Sequence, residues 1–177
     1  CAVVPRSVTA LSGKDIRDAA GIGTRKVDVV FGGAPCQGFS LIGQRAIDDP
    51  RNSLVKDFVR IVRELNANYF VFENVKGLTV GKHRKFLDEI IEEFKSAGYS
   101  VLEDWKVLNA CEYGVPQDRQ RLFLLGAKKG LQLPHYPTAI TGKPGAKTTL
   151  PNAPTCRDAL NDLPDAERFE RLRSTDA

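Results

Sequence analysis

The chain has 177 residues, 42% hydrophobic and 27% charged, with a formal net charge of +4; that is enough for one domain with a proper core, and the mild basic excess permits a polyanionic partner without demanding one. No apolar run approaches membrane-spanning length, and no secretory pattern opens the chain. The four cysteines, Cys1, Cys36, Cys111 and Cys156, form no CxxC pair, so neither a zinc site nor a disulfide framework is expected and a reducing compartment is.

In chain order, residues 1–10 carry no signal. Ser12 to Asp18 reads as a polar turn with a buried Ile16. Gly21-Ile22-Gly23-Thr24 resembles part of a phosphate loop, but it follows no strand and lacks a third glycine, so it reads as a plain loop. Val27-Asp28-Val29-Val30-Phe31 is an apolar run of the kind that forms a buried strand of a parallel sheet. It breaks into Gly32-Gly33-Ala34-Pro35-Cys36-Gln37-Gly38-Phe39-Ser40, placing a thiol at the strand's C-terminal lip, where open α/β sheets bind ligands. Read alone, Cys36 is equally a small buried hydrophobe.

Residues 41–53 lack periodicity and read as a long loop beside that lip. From Leu54 the apolar residues Val55, Phe58, Val59, Val62 and Leu65 follow helical spacing, with Ser53 placed as the cap. Tyr69-Phe70-Val71-Phe72 is the next strand. Strand, helix, strand is a βαβ unit with parallel strands, so Glu73-Asn74-Val75 opens on the same lip as Cys36. Lys82-His83-Arg84-Lys85 reads either as a phosphate contact or as a solvated face. A second helix carries Phe86, Leu87, Ile90, Ile91, Phe94 and Ala97 on one face and stops at Gly98. Tyr99 to Leu108 alternates as a strand, 109–116 is a loop, and Gln117-Asp118-Arg119-Gln120-Arg121 leads into the strand Leu122–Ala127. Residues 130–155 form a proline-rich connector. The tail 156–177 is a short helical piece with a charged end.

Three chemistries therefore stand at strand ends. A thiolate is a strong nucleophile. A carboxylate at a lip can hold or deliver a proton. Two arginines can clamp phosphate or a carbonyl oxygen. Neither histidine, His83 or His135, lies near Cys36 in sequence, which weakens a Cys-His pair. The target is an electrophile open to transient covalent attack.

Pro35-Cys36-Gln37, Glu73-Asn74-Val75 and Gln117-x-Arg119-x-Arg121, in this order and at these strand ends, resemble the cytosine-C5 DNA methyltransferase family over most of residues 12–165. The resemblance implies a Rossmann-like, S-adenosylmethionine-dependent fold with a mostly parallel sheet and flanking helices. It implies catalytic roles for Cys36, Glu73, Arg119 and Arg121. Cys36 would add to C6 of a flipped-out cytosine, Glu73 would hydrogen-bond N3 and the exocyclic amine, and Arg119 would help orient the cytosine carbonyl. Gln37, Ser40, Asn74 and Gln117 would bind the substrate DNA. S-adenosylmethionine would be held by Asp15, Ile16, Pro35 and Leu54, with no metal. Asp15 reads equally as a surface turn residue and Leu54 as core. A duplex base is unreachable for such chemistry unless it is extruded. Double-stranded DNA is thus the implied partner of a protein that is a monomer when complete and is not bound to a membrane. Its implied location is the bacterial cytoplasm, with the nucleoid, or the nucleus in a eukaryote.

The departures from the family pattern are also informative. No Phe-x-Gly-x-Gly loop precedes Asp15, and Thr155 to Pro164 resembles the segment just before the family's target-recognition region. The chain holds no Met. A segment of a longer protein is expected, with 1–150 the central part of the catalytic domain and 151–177 a connector. Two alternatives remain open at this point: a tRNA cytosine-5 methyltransferase, and a non-catalytic nucleic-acid-binding paralogue.

Overall fold

The computed structural model describes residues 2–35 and 52–164. By compactness the chain divides into two units. One comprises residues 1–108 with 120–137, the other 109–119 with 138–177.

The first unit is a sheet with helices packed on one face. Its strands are β1 (Val29–Gly32), β2 (Tyr69–Val75), β3 (Tyr99–Val101), β4 (Lys106–Asn109) and β5 (Gln120–Lys128). The order is β1-β2-β5-β3, with β4 also paired to β5. β1 and β2 are parallel, as the βαβ reading requires. β5 runs antiparallel to both β2 and β3. The described sheet is mixed: β1, β2 and β3 point one way and β5 returns between them.

Helix α2 (Ser53–Glu64) and helix α3 (Arg84–Ser96) supply the cover. Their apolar stripes, Val55-Phe58-Val59-Val62 and Phe86-Leu87-Ile90-Phe94, meet Phe70, Phe72, Leu122 and Leu124 from the sheet in one core. Period-two alternation puts Phe70, Phe72 and Asn74 on the covered face of β2. Phe70 lies opposite Gly126 in the ladder. A Cβ there would sit 2.1 Å from the Phe70 ring, so glycine leaves room for Phe70 to stack on Phe94 at 3.8 Å between centroids.

Several expectations change. β1 is an edge strand, not a buried one: Val29 is 54% and Phe31 76% exposed. Among the described residues, only β2 pairs with it. The stretch 99–108 is two strands, because Glu103 and Asp104 break the alternation at a bend. Ser53 is the first residue of α2 rather than its cap; the cap position is the buried Asn52, which makes no side-chain cap bond. The turn expected at 12–18 is helix α1 (Gly13–Ala20), held by a reciprocal capping box between Ser12 and Asp15. Gly21 ends α1 with φ +61°, as the plain-loop reading of 21–24 allows. Gly98, with φ +93°, stops α3 as expected.

The second unit is built around a short 3-10 turn, Ala110–Tyr113. The Glu112 carbonyl accepts from the Ile140 and Thr141 amides. The Thr141 hydroxyl donates to the Cys111 carbonyl at 2.6 Å and accepts from the Gly114 amide at 2.9 Å. Helix α4 (Cys156–Leu160) begins on a second capping box, Thr155 with Asp158.

Candidate active site

The lip where β1 and β2 end is set by the α2 crossover. After α2, Asn68 and Tyr69 donate to the Val27 and Asp28 carbonyls, which fixes the helix exit at the strand starts. Phe58, one turn and a half into α2, already packs against Gly32 at the end of β1. The first turn of α2 therefore lies toward the strand ends.

At that lip the structure brings together Glu73 and Arg121. Glu73 is opposite Phe123 in the ladder and Arg121 is opposite Val75, so the two are diagonal neighbours on the uncovered face, within reach of long side chains. Arg121 Nε meets Glu73 Oε1 at 2.8 Å, with both side chains about one-quarter exposed (24% and 27%). A partly exposed ion pair contributes little to stability. Its value lies in presenting a carboxylate oxygen and a planar guanidinium side by side. The other carboxylate oxygen lies over Gly33, where a Cβ would approach Glu73 Oε2 to 2.5 Å. A side chain at 33 would displace the carboxylate.

Asn74 is 5% exposed and turns away from solvent. Its Nδ2 donates to the Ala34 carbonyl at 2.9 Å and its Oδ1 accepts from the Val75 amide at 2.9 Å. It ties the exit of β1 to the end of β2. Pro35 is exposed and Leu54 half-buried. Lys76 reaches Gln120 across the β2–β5 end, Nζ to Oε1 2.7 Å. Cys36, Gln37 and Ser40, with most of the 41–53 loop, lie outside the described residues.

The expected cofactor set is not assembled as a whole. Asp15 and Ile16 stand at the far end of α2: the Gly13 amide donates to Glu64 Oε2 at 2.6 Å, and Arg17 donates to the Leu65 carbonyl at 2.6 Å. Leu54 is in the first turn of that helix, about 15 Å away along its axis. Asp15 Oδ2 is taken by the Ser12 amide and hydroxyl (2.9 and 2.6 Å), and these bonds, ahead of the nearby Arg6, hold its carboxyl below the usual range. Pro35 and Leu54 stand at the lip, and Asp15 and Ile16 stand at the other end of α2.

The second unit carries Gln117 and Arg119, both exposed. Sequence reasoning missed the groups that hold this segment. Asn109 is 7% exposed; its Oδ1 accepts from the Arg119 amide at 3.0 Å and its Nδ2 donates to Asp118 Oδ1 at 2.8 Å. The Arg119 carbonyl accepts from the Ala110 amide at 3.0 Å. Lys143 pairs with the other Asp118 oxygen at 2.5 Å. The Lys143 ammonium first, then the Asn109 amide, hold the Asp118 carboxyl below its ordinary range. Of the cluster at 82–85, Arg84 is committed to structure, pairing with Asp88 and lying 4.8 Å over the Trp105 ring. Among the described residues, no group of three or more His, Cys, Asp or Glu side chains could hold a metal ion, and no helix is long and apolar enough to cross a membrane.

A mixed sheet whose parallel strands deliver a glycine-rich turn and a carboxylate to one lip is the architecture of the S-adenosylmethionine-dependent methyltransferases. It is shared by two solved structures. One, described as a DNA modification methyltransferase encoded within an E. coli prophage, is 33% identical with a TM-score of 0.67, covering 92% of this chain and 42% of that one. The other, Spodoptera frugiperda DNMT2, is 25% identical with a TM-score of 0.50, covering 72% and 36%. The family model for C-5 cytosine-specific DNA methylases matches residues 6–176, and the chain belongs to that family. It is 57% identical to the Type II methyltransferase M.XorII of Xanthomonas oryzae pv. oryzae over 99% of its length and 39% of that protein's. It is 41% identical to M.DdeI of Desulfomicrobium norvegicum over 95% of its length and 39% of that protein's. The chain thus spans about two-fifths of the length of each of these two relatives.

Proposed function

We propose that the protein to which this chain belongs is a DNA (cytosine-5)-methyltransferase of the Type II modification kind. The carrying observation is the Glu73–Arg121 pair, held on one face of the lip that leads to Cys36. S-adenosylmethionine, when bound, supplies the methyl group, and Pro35 and Leu54 are the residues here that fit beside it. Duplex DNA is the substrate, with the target cytosine extruded.

The chemistry follows from the residues. The Cys36 thiolate adds to C6 of cytosine, and the ring electrons shift to C5 and toward N3. A proton shared between N3 and the Glu73 carboxyl stabilises that charge, and the carboxyl accepts a hydrogen bond from the exocyclic amine. Arg121 Nε keeps the carboxyl oriented, Nη1 donates to the Gln120 carbonyl at 2.9 Å, and the N–H groups left over suit the cytosine carbonyl oxygen. That role was expected of Arg119; the ion pair favours Arg121 for it. After methylation, loss of the C5 proton to a base and expulsion of the Cys36 thiolate restore the aromatic ring. No metal and no membrane enter this reading, and the working form is a monomer in the bacterial cytoplasm.

Transfer of labelled methyl groups from S-adenosylmethionine to unmethylated DNA tests it, using the longest polypeptide the gene encodes. Cys36→Ser should abolish label. A denaturant-resistant adduct on 5-fluorocytosine DNA should form with the wild type only. Label on tRNA alone would move the substrate to tRNA. DNA binding with neither label nor adduct would make the protein a non-catalytic binder.

A further inference from the structure

We infer that Asn109 is a positioning residue that fixes the backbone from which Arg119 reaches DNA phosphate. The inference rests on the methyltransferase reading. Arg119 is exposed, so its guanidinium gains no direction from packing. Its backbone is held at both ends: the amide by Asn109 Oδ1 at 3.0 Å, the carbonyl by the Ala110 amide at 3.0 Å. The same Asn109 side chain gives its Nδ2 to Asp118 Oδ1 at 2.8 Å, and Lys143 closes the far side of Asp118.

Only an amide fits between these two neighbours. One side needs an acceptor for an N–H and the other a donor for a carboxylate. Aspartate at 109 would set two carboxylates face to face, and alanine would leave the Arg119 N–H without its side-chain acceptor. Two residues of one turn, 118 and 119, are thereby locked by a side chain from the end of β4. A long flexible arginine on a locked backbone loses less freedom when it engages a phosphate than one on a loose loop.

The test compares wild type, Arg119→Ala, Asn109→Ala, Asn109→Asp and the swapped pair Asn109→Asp with Asp118→Asn, in the full-length protein with unmethylated phage DNA. Arg119→Ala should raise KM for DNA about tenfold and lower the slope of log affinity against log salt by about one. Asn109→Ala should reproduce both changes, and Asn109→Ala with Arg119→Ala should be no worse than either alone. Asn109→Asp should be impaired, and the swapped pair, in which Asn at 118 donates to Asp at 109, should recover most of the loss. If an Asn109 variant fails to fold, recovery in the swapped pair alone decides. The inference falls if Asn109→Ala lowers the melting temperature while KM and salt slope stay at wild type, or if the swapped pair folds without recovery. A wild-type protein that transfers no methyl to DNA would instead overturn the methyltransferase reading.

Discussion

Gly33→Ala isolates the geometry of the lip from its chemistry. The added Cβ would stand 2.5 Å from Glu73 Oε2, against an ordinary contact beginning at 3.4 Å, so the carboxylate must retreat by about 0.9 Å. It cannot retreat without lengthening or rotating the 2.8 Å bond to Arg121 Nε. A misplacement near 1 Å of a group that acts only in the transition state costs about 10²-fold, or about 2.7 kcal/mol. Stability should hardly change, because the neighbour that yields is the end of a partly exposed side chain in a solvent-screened pair, for which a loss of under about 1 kcal/mol is expected. Single-turnover methyl transfer with saturating cofactor and DNA reads the chemical step, and a thermal melt reads the fold. A Gly33→Ala protein with a rate within twofold of wild type and an unchanged melt would refute the placement of Glu73. A collapsed melt would refute the claim that the clash is confined to a yielding side chain.

Three further substitutions probe the core, the lip and a buried hydroxyl. Gly126→Ala drives a methyl to 2.1 Å from the Phe70 ring, deep in the core, and should destabilise by about 1–3 kcal/mol, measured by urea unfolding with the m-value unchanged. Asn74→Asp keeps an acceptor for the Val75 amide but loses the donor to Ala34, so adduct formation on 5-fluorocytosine DNA should slow about tenfold while DNA binding holds; loss of binding instead would return Asn74 to the DNA contacts. Burial pushes the Tyr136 hydroxyl up to about 12, and it donates to the Phe123 carbonyl at 2.7 Å. Between pH 10 and about 12 the unfolded chain ionises this group and the folded chain does not. Stability should therefore fall as pH rises through that window, and Tyr136→Phe should flatten the fall.

What could be read from sequence was what periodicity encodes. The α2 and α3 stripes and the β2 run announce themselves because each must bury one face, and the order of Glu73 and Arg121 at strand ends follows from where those runs stop. Ladder direction is silent in sequence: nothing in Leu122–Ala127 says that the strand returns between β2 and β3. The edge position of β1 is equally silent, since Val29 and Phe31 look like core until their neighbours are known. Helix α1 was hidden because its apolar content is slight, although the Ser12-x-x-Asp15 capping pattern was there to be used. Asn109 escaped for the opposite reason. A single asparagine at the end of a strand looks like any turn residue, and only the fold reveals that both of its amide atoms are occupied.

The diagonal pairing of Glu73 with Arg121 has a consequence at the level of the gene. Side chains of β5 alternate faces, so an in-frame loss of one codon within 121–127 would swap the two faces for every residue on one side of the deletion. Leu122 and Leu124 would turn outward, or the guanidinium would be carried to the face covered by α2 and α3. The bend at 103–104 imposes no such parity. Length variation between natural versions of this chain should accumulate there, while β5 tolerates exchange of letters but not a change in their count.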